Sequence, residues 1–129
     1  MAISLNHTIV PAQDKHASAA FITKILGVPL GNPFGPFVPV RLNETTSLDY
    51  ANNSELSIMG TAAIIPHHYA FAVDDAEFDA IMGRIIEHGL AYYAEPHEPK
   101  HYGEINTSRN GRTVYFDDPD GHVMEVLTA

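Results

Sequence analysis

Cysteine is absent from this 129-residue chain, which excludes disulfides, thiol catalysis and thiolate metal sites. Any metal must therefore be held by histidine, carboxylate, hydroxyl or backbone oxygen. Cations are scarce as well: Lys plus Arg number 7 against 16 Asp plus Glu, a formal charge of −9. Nucleic acid and anionic membranes reward clustered Lys and Arg, so neither is an expected partner. A neutral or aromatic small molecule is easier to reconcile with this charge. No apolar run approaches the roughly eighteen residues of a membrane span, and no basic stretch followed by an apolar one opens the chain. Neither a signal peptide nor a membrane anchor is expected, and the expected location is cytoplasmic. What is present is enough apolar content for the core of one domain, built by one chain or shared between two.

The chain repeats itself once. Leu5 to Val10 reads as a strand that carries His7 between Leu5 and Ile9, and Asp14 then caps a helix running to Gly27. His68 to Val73 is a second such strand, followed by a helix capped by Asp74 or Asp75, with Phe78, Ile81, Met82 and Ile85 on one face and Gly89 at its end. The offsets agree: 61 from His7 to His68, 61 from Asp14 to Asp75 and 62 from Gly27 to Gly89. A period this long fits a domain duplicated once, each copy a strand, a helix and three more strands. In the first copy those strands are expected at Phe37 to Leu42, Thr46 to Ala51 and Leu56 to Met59, and in the second at Ala91 to Ala94, Thr113 to Asp117 and Val123 to Leu127. Gly31 to Pro36 and Glu95 to Gly111 read as mobile loops, the second long enough to serve as a lid.

Near the C-terminus, Pro119 presets φ and Asp120-Gly121 permits a tight reversal, so the strand through Tyr115 returns as Val123 to Leu127. Glu125 then shares a face with Val123 and Leu127, where a carboxylate needs a cation or a metal if it is buried. His68 shares its face with the small residues Ala70 and Ala72, which leave room for a ligand. His7, His68 and Glu125 make a set of two histidines and one carboxylate, which suits ferrous iron and also admits zinc, manganese or nickel. The alternative is that both histidines are hydrogen-bonded core residues and Glu125 pairs with an arginine such as Arg112. The repeat-equivalent placement of the histidines favours the metal. Aligning the hairpin turns of the two copies puts Tyr50 opposite Glu125, so the first half offers a phenol where the second offers a carboxylate. His67 points to the sheet face opposite His68, while His16, His88 and His122 read as solvated. His97 and His101 have helical metal-pair spacing, but Pro96 and Pro99 break any helix there, which leaves them to meet a substrate from the lid. Tyr92, Tyr93 and Tyr102 are candidates for an aromatic pocket lining or for ordinary packing.

Taken together, Asn6-His7, His68-Tyr69-Ala70-Phe71 and Asp118-Pro119-Asp120-Gly121-His122 followed by Glu125 make a chain that resembles the vicinal oxygen chelate superfamily, over nearly its whole length. That superfamily includes glyoxalase I, extradiol dioxygenases, fosfomycin-modifying transferases and bleomycin-binding proteins. The resemblance implies an α+β fold of two βαβββ modules, about 1–60 and 61–129, forming one domain with a curved mixed sheet and paired across a homodimer. It also implies a divalent metal on His7, His68 and Glu125, His7 coming from one chain and the other two from its partner. The runs Asp14 to Ala19, Pro33 to Phe37, Gly103 to Asn106 and Gly111 to Phe116 look like the subgroup containing the chartreusin-pathway oxygenase. This likeness implies a metal-dependent oxygenase, with Fe(II) favoured over Mn, Ni or Zn. Its substrates would be dioxygen and a polycyclic hydroxylated aromatic or quinone-like molecule, cleaved or rearranged oxidatively in making an aromatic polyketide antibiotic. Tyr50 is the expected catalytic side chain, and Tyr92, His97, His101, Tyr102 and Arg109 are the expected substrate contacts. The rivals are a protein that sequesters an antibiotic, as bleomycin-binding proteins do, and a metal-dependent thiol transferase or isomerase. Tyr50 stands where glyoxalase I has a second glutamate, and the few cations suit a phosphonate substrate poorly.

Overall fold

A computed structural model describes residues 2–56 and 63–128 as two compact units, Met1–Ile65 and Pro66–Ala129. The first unit runs β1 (His7–Ala12), α1 (Lys15–Leu26), β2 (Phe37–Arg41) and β3 (Ser47–Asn52), with a short 3-10 turn at Asn53–Glu55. Its sheet has the order β1-β3-β2, with β1 parallel and β2 antiparallel to β3. Helix α1 starts where the Asp14 carboxylate accepts the free amide hydrogens of His16 and Ala17. It stops at Gly27, whose φ of 72° lies in the left-handed region that a side chain would resist. Ser18, Ala19, Ile22, Ile25 and Leu26 fall on one stripe and are buried, as are Val10, Ala12, Val38, Val40, Leu48 and Tyr50 of the strands.

The second unit repeats the order as β4 (His68–Ala72), α2 (Asp75–Glu87), β5 (Thr113–Asp117) and β6 (Val123–Leu127). Its sheet is β4-β6-β5, again one parallel and one antiparallel pairing. Asp74 caps α2 by accepting from the Glu77 amide, and Phe78, Ile81, Met82 and Ile85 form its buried stripe. The architecture is α+β, with two three-stranded mixed sheets and one helix to each.

The expected strand Ala91 to Ala94 is reduced to isolated bridges at Tyr93. Tyr93 pairs with Tyr115 in the second unit, within the expected Ala91 to Ala94. In the first unit the corresponding bridge is Leu30 to Val40, ahead of β2. Of the expected strand Leu56 to Met59, Leu56 closes the 3-10 turn and the rest lies outside the described residues.

Register carries a larger correction. In the first hairpin Arg41 pairs with Ser47 and Pro39 with Asp49; in the second Asp117 pairs with Val123 and Tyr115 with Glu125. Counted outward from each turn, Asp49 and not Tyr50 occupies the place of Glu125. The parallel pairings agree, since Ile9 faces Asp49 and Ala70 faces Glu125. A slip of one residue moves a strand side chain to the other face, so Tyr50 points away from His7 and into the core.

Candidate functional site

On the open face of the second sheet, β4 and β6 run parallel and bring His68 and Glu125 together. His68 Nε2 and Glu125 Oε1 lie 2.9 Å apart, with the His68 side chain 48% and the Glu125 side chain 14% exposed. A carboxylate so covered has the imidazole as its polar partner, and Ala70 beside both adds no bulk. Arg112, the rival partner, is engaged elsewhere: its guanidinium bonds Asp75 and Asp79 of α2 at 2.9 and 2.7 Å and lies over the Phe78 ring. The donor set fits a divalent metal. Two ligands bound at about 2.1 Å and at right angles to each other stand about 3.0 Å apart.

Sequence reading missed Tyr115, which sits beside this pair. It is the register partner of Glu125, and its ring meets that of His68 edge-on with centroids 6.1 Å apart. The signal was available, because a five-residue reversal centred on Asp120 puts residues 115 and 125 opposite each other. Arg109 donates from Nη1 to the Tyr115 hydroxyl at 2.7 Å and from Nη2 to Glu95 at 2.8 Å. That hydrogen bond to Tyr115, and more weakly the charges of Glu95 and Glu125, hold Arg109 above its ordinary pKa and so firmly cationic. Tyr93 stacks on Tyr115, and Tyr102 packs on Tyr93 at 5.3 Å. Of the expected substrate contacts, Arg109 and Tyr102 thus join one network running from Glu125. Tyr92 accepts the Gly103 amide at its carbonyl, while exposed His97 and His101 interact locally with Glu98 and Glu104 and stand outside the network.

In the first unit, exposed His7 contacts the Asn6 side-chain oxygen through Nδ1 at 2.8 Å. It lines a cavity of about 430 Å³ together with Phe34, Phe37, Arg41, Ser47 and Asp49. Tyr50, expected at this site, is fully buried on the other face beside its register partner Val10. Its place in the cavity is taken by Asp49.

His122 is also corrected: expected in solvent, it has no exposed surface. Its Nδ1 accepts the His67 amide hydrogen at 2.8 Å, and the His67 ring packs on it at 4.8 Å. His67 bonds the Tyr69 hydroxyl at 2.7 Å, and burial with the nearby Asp118 pushes the Tyr69 phenol up to about 12. Asp118, Asp120 and His122 offer metal-type donor atoms within 4.8 Å of one another. Their bonds give them a different task. Asp118 Oδ1 accepts the amides of Asp120 and His122, and the lone pair of a neutral His122 ring is already used on the His67 amide. These residues fasten the turn that delivers Glu125.

No protein-family model matches the chain. Metallothiol transferase FosB of Shouchella clausii is 34% identical over 61 residues, which span 37% of that protein, and the fosfomycin resistance protein FosX of Mesorhizobium japonicum is 39% identical over 62 residues, which span 39% of it. Among solved structures, Oxidase ChaP-H2 shares 47% identity with a TM-score of 0.88, covering 100% of this chain and 95% of its own. Oxidase ChaP-H1 shares 48% identity with a TM-score of 0.87, covering 99% and 97%. A lactoylglutathione lyase from Agrobacterium tumefaciens, at 23% identity and a TM-score of 0.73, shares the fold over 100% of this chain and 96% of its own. The duplicated sheet, the paired His68 and Glu125, and near-full-length likeness to the ChaP-H oxidases place the chain in the vicinal oxygen chelate superfamily, among relatives that are oxidases.

Proposed function

We propose that this protein is a metal-dependent oxygenase, with Fe(II) the favoured metal, acting with dioxygen on a polycyclic hydroxylated aromatic or quinone-like molecule. The reaction class is oxidative ring cleavage or rearrangement, of the kind used to build aromatic polyketide antibiotics. The observation that carries it is the 2.9 Å approach of His68 Nε2 to Glu125 Oε1 on an open sheet face, in a chain 47% identical to an oxidase. His68 and Glu125 are two ligands, and His7 of another copy of the chain is the third. The metal supplies Lewis acidity and orients reactants. The chain's own residues do the rest. Glu125 brings negative charge, Tyr115 and Arg109 offer an O–H and a cation toward substrate oxygen, and Tyr102 with the loop 95–111 covers the face. Anaerobic metal analysis of protein purified without chelators tests the reading. One equivalent of iron per chain is expected, and Glu125→Gln or His68→Ala should each weaken metal binding by at least about tenfold. Unchanged stoichiometry and affinity in both variants would sink it.

A second reading, a metal-dependent thiol transferase acting on fosfomycin, draws the thiol transfer from the similarity to metallothiol transferase FosB and the substrate from that to fosfomycin resistance protein FosX. Thiol-dependent consumption of fosfomycin by metal-loaded protein, without oxygen uptake on any hydroxylated aromatic, would select it.

A further inference from the structure

Arg41 and Asp49 have no part in the metal reading, yet both line the first unit's cavity, whose 430 Å³ is of small-molecule size. One side of it is apolar. Phe34 and Phe37 sit 5.4 Å apart with Ile9 beside them, and Phe34 and Ile9 are 54% and 40% exposed, area that an aromatic ligand gains by covering. The floor is kept low by Gly31, where a Cβ would come within 2.9 Å of the Pro39 ring.

The other side is charged. Asp49 is 5% exposed, and its Oδ1 takes the Ser47 hydroxyl hydrogen at 2.9 Å, leaving Oδ2 for a ligand. A carboxylate so covered, with one neutral donor as its side-chain partner, is poorly compensated and gains from a further hydrogen-bond donor. Arg41 stands diagonally across the hairpin, two pairs along from Asp49's partner on the same face. Unlike Arg109 and Arg112, it has no ion pair among the described residues. A guanidinium free at the rim of an apolar cavity matches a carboxylate by its paired donors.

We infer that this cavity binds a planar aromatic bearing both a hydroxyl and a carboxylate, Asp49 accepting the hydroxyl's hydrogen bond and Arg41 pairing with the carboxylate. The site deepens the oxygenase reading by specifying the acidic form of its aromatic substrate, and it rests on that reading only for the link to catalysis. Binding itself needs no metal. The test uses the whole chain, chelator-treated and titrated with 6-hydroxy-2-naphthoate, 2-naphthoate and 2-naphthol, followed by naphthyl fluorescence. Saturable binding of the hydroxynaphthoate is expected. Arg41→Met should weaken both carboxylates about tenfold or more and spare 2-naphthol, and Arg41→Lys should recover part of the loss. Asp49→Asn should weaken the two hydroxyl probes and spare 2-naphthoate. Because Arg41 is exposed, its variants keep the fold, so the inference stays open to refutation even if Asp49→Asn unfolds. Absence of saturable binding at millimolar probe, or equal affinity in wild type and Arg41→Met, overturns it. Probe binding that appears only with metal and follows Glu125 instead of Arg41 overturns the cavity assignment and leaves the metal reading standing.

Discussion

At the scale of single residues, the proposed function separates groups of the second unit that hold the fold from groups that would face a ligand. Tyr93 belongs to the first kind. Its hydroxyl donates to Asp117, and burial first, then that bond, raises its pKa above the ordinary 10.0. A phenol raised in the folded state contributes stability that is complete below its unfolded value and is lost as pH rises through the folded one. Tyr93→Phe should therefore cost about 1 kcal/mol at pH 7 to 9, from the lost bond, and the deficit should shrink above about pH 10. Thermal melts across that range check it, and a deficit that grows with alkali would contradict the assignment. Tyr115 is as buried, but with its hydroxyl on Arg109 and its ring against His68 we propose it for the second kind. Tyr115→Phe keeps the stacking on Tyr93 but removes the Arg109 acceptor. Metal content should hold while turnover on any oxidised aromatic falls, and wild-type turnover would return Tyr115 to a packing role.

At the scale of elements, the β5–β6 turn and the segment 95–111 matter most. Gly121 has φ of 84° with nothing near its missing Cβ, so Gly121→Ala adds strain without a clash. The cost should be about 1 kcal/mol by urea titration, with metal affinity falling only if the Glu125 strand shifts. An unchanged midpoint would show that the turn relaxes freely. The composition of the segment 95–111 predicts a mobile loop, but Asn106 is buried, exchanges backbone bonds with Thr113 and bonds Glu95 through its side chain. Those ties are invisible in a sequence whose Pro, Gly and polar residues describe only the lack of a helix or strand. We propose that the outer part of the segment acts as a lid. Tyr102→Ala with Arg109→Ala should leave metal content intact and raise the apparent KM for substrate, and equal protease sensitivity with and without substrate would exclude closure.

At the scale of the whole molecule, the question is whether one chain suffices. Ile3 and Leu5 are 101% and 62% exposed, apolar surface that a second copy of the chain would cover. We propose a homodimer whose metal sites draw His7 from one copy and His68 with Glu125 from the other. Mixing His7→Ala chains with Glu125→Ala chains should then restore about half the activity per mixed dimer, because one site keeps all its ligands and the other collects both defects. No recovery after verified subunit exchange would show that each chain builds its own site.

Local rules of spacing, capping and turn chemistry act within a few residues, and the sequence alone therefore determined both helices with their caps, the strands carrying His7 and His68, the β5–β6 reversal and the face on which Glu125 stands. It determined the duplication too, since the offset between the histidines survives in the chain as written. Register in the first hairpin was decided only by tertiary structure. The first turn, Leu42 to Thr46, has five residues like Asp118 to His122 but opens on apolar Leu42, so an alignment started at its first turn-type residue, Asn43, slips by one position, enough to exchange cavity-lining Asp49 for buried Tyr50. Burial of His122 was likewise a tertiary outcome, because the amide that claims its lone pair comes from His67, 55 residues earlier. Whether a polar side chain is solvated or enclosed depends on which distant segment arrives to pair with it, and spacing along the chain carries no record of that arrival.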